Sequence, residues 1–296
     1  MKEERTDFYK ENSRNKFKTY LLFLAFFAFI FLIALAIKYI FSIEGFGILF
    51  IAGVIAIIYS LFSYFLGDKL VLLTSHAKPA DPKAYQHLHN VVEGLAISAG
   101  IPKPNLYVIE DPSPNAFATG RNPKHASLAV TSGLLGVMNR QELEGVIGHE
   151  MSHIRNRDME IMTIVSVLFG IISIVSDIAI RALVFGDRDS DSKNIFGLII
   201  SILLLILAPL IATLIQLAIS RNREFLADSS SAELTRYPQG LANALKKIAS
   251  INQPVENATK GTAHLYIASP LAHDGIADLF STHPPIEERI KRLESM

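Results

Sequence analysis

The chain has 296 residues, of which 50% are hydrophobic and 19% charged, and its 28 Lys plus Arg balance 28 Asp plus Glu. A formal charge of zero offers no electrostatic footprint for a nucleic-acid partner. The absence of cysteine excludes disulfides, thiolate ligands and a cysteine nucleophile, so any metal must be held by His, Asp or Glu.

The apolar residues are clustered. Residues 1–18 carry six basic side chains, and an uncharged run, Tyr20 to Ile37, follows. A second uncharged run covers Gly45 to Gly67, and Ile195 to Ser220 is another. Ile161 to Gly186 is apolar except for Asp177 and Arg181, which lie four apart on one helix face. Each run approaches or exceeds the ~20 residues of a spanning helix. The first continues past Ala34-Leu35-Ala36 to Phe41 and is read as an uncleaved anchor rather than a signal peptide. By the positive-inside rule the N-terminus is cytoplasmic, and Arg155, Arg157, Arg221 and Arg223 lie on the same side. The short acidic loop Asp187 to Asn194 then falls outside.

Between the hairpins, Pro82 to Ser98 reads as a helix with Leu88, Val91, Val92, Leu95 and Ile97 at near-helical spacing, stopped by Gly100. Asn105 to Glu110, Asn115 to Gly120 and Ala126 to Gly133 read as short strands, with a turn at Asn122-Pro123. Asn139 and Glu142 form a capping-box pair at the start of the next helix, whose stripe is Leu143, Val146, Ile147 and Met151. That helix is expected to run towards the third span. After the fourth span come helices around Leu241 to Ser250 and Pro285 to Ser295. The fold class is α+β, a multi-pass membrane protein with four transmembrane helices. Residues 1–67 form the N-terminal tail and first hairpin, and 161–220 the second hairpin. Residues 68–160 and 221–296 form two parts of one soluble domain.

The chemistry sits in "HEMSH", His149 to His153. Residues four apart share a helix face, so both imidazoles can hold one tetrahedral zinc. Glu150, turned about 100° away, can take a proton from a water that the metal acidifies, which is why H-E-x-x-H on a helix reads as a metalloprotease pattern. A catalytic zinc needs a third protein ligand. Asp158 is near in sequence. "REFLAD" is the better candidate, with Glu224 and Asp228 four apart, because the second hairpin starts and ends at one membrane face and returns Glu224 beside His153. Asp228 can then accept a hydrogen bond from a ligand imidazole. A non-catalytic membrane scaffold or holding module with a structural metal is the alternative, but such a site has no use for Glu150. A transporter is a weaker reading, since the spans carry few polar groups.

"NAFATG", "GVIGHEMSHIRNRD", "REFLAD" and "HPPIEERI", with the two hydrophobic hairpins, resemble the HtpX-type membrane zinc metalloproteases, relatives of the CAAX prenyl proteases. The resemblance implies a gluzincin-like, zincin-type metalloprotease domain facing the cytoplasm from the plasma membrane. It implies one zinc per chain, with Glu224 as third ligand, and endopeptidase action on misfolded or unfolded membrane and cytosolic proteins. It also places Asn115, at the head of "NAFATG", along the cleft, where an edge strand can take substrate by strand addition. His283 is expected to donate to the oxyanion, and Arg289 to steady the carboxylates of the site. His76, His87, His89, His125, His264 and His273 have no partner pattern and read as surface or loop residues. Gly261 to Gly275 reads as a mobile loop near the cleft.

Overall fold

The structure is a computed structural model. It describes residues 44–170, 221–251, 253–259, 261–271 and 284–296, together with part of 17–38.

The three strand-like segments pair into one sheet with a short fourth strand. β1 (Lys78–Pro79), β2 (Asn105–Ile109), β3 (Ala116–Gly120) and β4 (Ala126–Thr131) lie in the order β1-β2-β4-β3. β2 runs parallel to β4, with Val108 opposite Val130, while β3 and β4 form an antiparallel pair with Ala118 opposite Leu128. β3 is therefore the outermost strand on the far side of the sheet from β1. Between β3 and β4, the Asn122 side chain accepts from Lys124 N and His125 N, so the predicted turn becomes one turn of 3-10 helix.

α1 (Gly47–Thr74) is 28 residues long and extends seven residues past the predicted end at Gly67. Only Ala52, Ala56, Ser63, Gly67, Val71 and Leu72 of it are buried, while Phe50, Ile51, Ile55, Ile58, Leu61 and Phe65 are exposed. A core helix would bury such residues, and an apolar surface this continuous calls for an apolar solvent. It is the one helix among the described residues long and apolar enough to cross a membrane. It packs on the start of the third predicted span: Tyr59 donates to Val167 O at 3.1 Å, and Gly67 lies against Val167 and Thr163. Thr19–Ala28 is a shorter apolar helix within the first predicted span. Of the third predicted span, residues 161–170 are helical and buried through Leu168. The rest of it, and the whole of the fourth, lie outside the described residues.

α2 (Gln86–Ala99) starts four residues later than predicted, because Asp81 Oδ1 takes Lys83 N and Ala84 N into a turn first. It ends at Gly100, whose φ of 67° is the left-handed cap position. Leu88, Val91, Val92 and Leu95 are buried, but Ile97 is 77% exposed. Two residues after Leu95 a helix has turned about 200°, which carries Ile97 to the opposite face.

α3 (Ser132–Val137), capped by Thr131, takes the end of the third predicted strand, which stops at Thr131. α4 (Arg140–Arg155) follows, and twelve of its residues are buried, with Leu143, Val146, Ile147 and Met151 at its centre. Its capping box is complete: Glu142 N donates to Asn139 Oδ1 at 2.9 Å and Asn139 N to Glu142 Oε2 at 2.8 Å. α5 (Arg221–Thr235), α6 (Pro238–Ile251) and α7 (Ile286–Glu294) complete the domain. α4 lies among α2, α5, α6 and β3. That close approach needs Gly145, since a Cβ there would sit 2.5 Å from Leu241 N.

α4 does not run on into the third predicted span. It stops at Asn156, and Arg157 adopts φ +60°, a conformation that an L side chain disfavours. The helix resumes at residue 158.

Candidate active site

His149 and His153 lie one turn apart on the last part of α4, buried to 0% and 4% exposure. α5 packs along α4 and brings in Glu224 from its first turn. His149 Nε2 and His153 Nε2 are 3.1 Å apart, and each is 3.6 Å from an oxygen of Glu224. Ligands about 2.0–2.1 Å from one tetrahedral ion would stand roughly 3.3 Å from each other, close to these separations. They are the one group among the described residues whose ligand atoms could converge on a metal ion.

The far side of each imidazole explains why these nitrogens face inward. His149 Nδ1 is 2.9 Å from Asp228 Oδ1, and His153 Nδ1 is 3.0 Å from Asp158 Oδ2. Carboxylates only accept, so each Nδ1 carries the proton and each Nε2 presents its lone pair. Two lone pairs and a carboxylate meeting in a buried space repel one another unless a cation stands between them. The same field acts on a proton. Burial lowers the affinity of His149 for it, but the hydrogen bond to Asp228 and the nearby Glu224 carboxylate more than reverse this and push the imidazole up to about 9. The residues therefore fit a bound metal cation.

Asp158 thus lies behind His153, at Nδ1, while Glu224 lies at the Nε2 side of both imidazoles. Asp228 also meets Arg289, with Arg289 Nε donating to Oδ2 at 2.9 Å and Nη2 to Oδ1 at 2.7 Å. Burial raises the Asp228 carboxyl, but the Arg289 charge and the His149 hydrogen bond hold it down at about 2. Arg289 is itself buried, and its Nη1 donates to Ile267 O at 2.7 Å. Its Nη2 also lies 3.3 Å from His149 Nδ1, a proximity of two protonated nitrogens rather than a bond, given the shorter contact to Asp228.

Glu150 is 1% exposed, and neither of its carboxylate oxygens has a hydrogen-bond partner among the described residues. Such groups are rare in folded proteins because each is costly, and they concentrate where chemistry uses them. Burial pushes the Glu150 carboxyl up, opposed by the charges of His149 and His153.

Residues 82–296 match the model of Peptidase family M48. The chain belongs to this family. It is therefore a metallopeptidase, a hydrolase of peptide bonds that requires a metal ion. The matched region contains α4, α5 and α7, which carry His149, Glu150, His153, Glu224, Asp228 and Arg289, and also Asp158.

The full-length relatives extend the match through the apolar N-terminal part. The chain is 45% identical over 294 residues to a protein named Protease HtpX homolog of Caldanaerobacter subterraneus subsp. tengcongensis, covering 97% of each. It is 46% identical over 298 residues to the one of Thermoanaerobacter pseudethanolicus, covering 99% of each. With α1, this makes the chain a membrane metalloprotease. The crystal structure of S. mikatae Ste24p shares the fold at a TM-score of 0.53 and 20% identity, over 96% of this chain and 66% of that one.

The remaining predicted residues are placed as follows. Asn115 is buried immediately before β3, and its Nδ2 donates to Ala268 O at 3.1 Å. The outer edge of β3 is already engaged: Ile267 N donates to Ala116 O at 2.9 Å, Phe117 bridges to Tyr266, and Gly120 N donates to Thr163 Oγ1. The stretch predicted as a mobile loop thus lies, over residues 263–268, packed along this edge. His264, expected at the surface, is buried there, with Nε2 2.9 Å from Met162 O. His283 and His273 lie outside the described residues. Arg223 was not anticipated as part of the site. Its Nε reaches Asp158 Oδ1 at 3.1 Å, and the only signal in the sequence is that it stands next to Glu224.

Proposed function

We propose that the chain is a zinc-dependent endopeptidase of the cytoplasmic membrane that cleaves misfolded or unfolded membrane and cytosolic proteins. His149, His153 and Glu224 would hold one zinc ion, and Glu150 acts as general base. The observation that carries this reading is the convergence of three buried ligand groups beside a buried carboxylate that has no hydrogen-bond partner among the described residues. Zinc supplies Lewis acidity, polarising a peptide carbonyl and acidifying a water.

The chain's own residues do the rest. Glu150 takes the proton from the attacking water and hands it to the leaving amine. Its burial supports this, because a raised carboxyl pKa lies nearer the operating pH of an acid-base group. Asp228 and Asp158 hold the imidazoles as Nδ1–H tautomers, and Arg289 holds Asp228. His283 is proposed as an oxyanion donor on the family resemblance alone. Asn115 and β3 would line the cleft, and an extended substrate pairing with β3 must first displace Tyr266 and Ile267 from its edge.

Topology belongs to the same proposal. Four spans would place the N-terminus, residues 68–160 and residues 221–296 in the cytoplasm, with residues 1–67 and 161–220 carrying the two hairpins. The packing of α5 against α4 supports treating 68–160 and 221–296 as one protease domain.

The deciding experiment compares wild type with Glu150→Gln, both detergent-solubilised and zinc-loaded, on an unfolded protein substrate. Cleavage by wild type alone, with equal zinc in both chains, is the expected result. Equal cleavage by both would overturn the role of Glu150.

A further inference from the structure

The two candidate ligand imidazoles are supported by matching carboxylates from different parts of the chain. Asp228 stands one turn after Glu224 on α5, where helix periodicity alone brings it into line. Asp158 has no such periodicity. It reaches His153 because the chain breaks at Arg157, whose φ of +60° is held against its intrinsic preference. Asp158 is 1% exposed and Arg223 is 7% exposed. A buried carboxylate is tolerated only when charge and hydrogen bonds compensate it, and Arg223 Nε stands 3.1 Å from the Asp158 oxygen that does not face His153.

We propose that Arg223 and Asp158 are positioning residues acting in series: Arg223 fixes Asp158, and Asp158 fixes the ring and tautomer of His153 for metal binding. The inference rests on the reading of His149, His153 and Glu224 as the metal site. Its consequence is specific to the layout of the chain. Arg223 is the residue before Glu224, three positions after the apolar run that ends at Ser220. One short segment at the start of α5 therefore both supplies a ligand and orients a ligand that belongs to α4. Any shift of that segment along α4 would disturb two of the three ligands together. Arg289 is the counterpart behind Asp228, but it comes from α7 and carries no ligand neighbour.

The test uses the full chain in detergent, stripped by a chelator and titrated with zinc against a chromogenic competitor. Arg223→Gln and Asp158→Asn should each raise the zinc dissociation constant by roughly 10–100-fold, the range seen when a supporting partner of a metal ligand is removed. The double variant should bind no more weakly than Asp158→Asn alone, since residues acting in series are not additive. Arg223→Lys, which keeps the charge but loses the planar fork, should recover part of the affinity.

Wild-type zinc affinity in Arg223→Gln overturns the inference, as does full additivity of the two substitutions. If Arg223→Gln does not fold, Asp158→Asn decides by the same titration, and unchanged affinity there overturns it equally. A wild-type chain that takes up no zinc overturns the metal-site reading itself, and the inference falls with it.

Discussion

Arg289 and Asp228 form a two-pronged ion pair, Nε to Oδ2 at 2.9 Å and Nη2 to Oδ1 at 2.7 Å, with the guanidinium 1% and the carboxylate 2% exposed. Both charges have left water, so each depends on the other. Replacing Arg289 by Leu leaves Asp228 buried with, among the described residues, only the His149 hydrogen bond, and frees Ile267 O. Breaking a buried pair from one side costs about 3–5 kcal/mol. Thermal unfolding of the metal-free chain should show a loss of that order. Arg289→Lys should lose less, because the charge remains while the fork does not.

Glu224→Ala tests the third ligand. Zinc retained per chain after gel filtration should fall, and proteolysis with it. The affinity loss should exceed the roughly 10–100-fold expected for a supporting residue. Normal zinc retention would exclude Glu224 as a ligand and return attention to Asp158 and Asp228.

The seam between α4 and α6 should be intolerant of one added methyl group. A Cβ on Gly145 would lie 2.5 Å from Leu241 N and 2.8 Å from its Cα, both main-chain atoms that cannot swing aside. Overpacking of this kind costs about 1–3 kcal/mol. Gly145→Ala should lower the unfolding midpoint accordingly. Gly136→Ala, where nothing lies within 4 Å of the added atom, provides the control.

Most of what could be read from the sequence depends on local periodicity, the exception being Glu224, placed beside His153 by the expected return of the second hairpin. The capping box of Asn139 and Glu142, the buried stripe of α4, and the shared face of His149 and His153 follow from fixed helical spacing. Strands β2, β3 and β4 follow from short apolar segments between turn residues. Elements that depend on tertiary contact were not legible. β1 is two residues long and exists because Ala80 N and its neighbours find β2. The left-handed residue at the break is Arg157 and not the neighbouring Asn156, so the sequence carried no sign that Asp158 turns back behind His153. The stretch around His264 is polar in composition, yet it is buried against β3 and residues 162–166 by contacts more than ninety positions away.

That buried histidine gives the chain a pH-dependent stability separate from its metal chemistry. His264 is 4% exposed, and its ring nitrogen faces Met162 O, which accepts one proton-bearing nitrogen but offers no counter-charge. Burial pulls the imidazole down to about 4, and the Met162 hydrogen bond opposes this only in part. In the unfolded chain the group titrates near its ordinary value of about 6.5. Between these values the unfolded state binds the extra proton, so stability rises with pH there. The contribution is complete above about 6.5 and is lost as pH falls towards about 4. A difference of this size corresponds to about 3 kcal/mol. Unfolding midpoints of wild type and His264→Gln, which keeps an N–H for Met162 O, should be compared from pH 7.5 to pH 4. The wild type should lose stability relative to the variant across that window, and parallel curves would show that His264 is not held neutral by the fold.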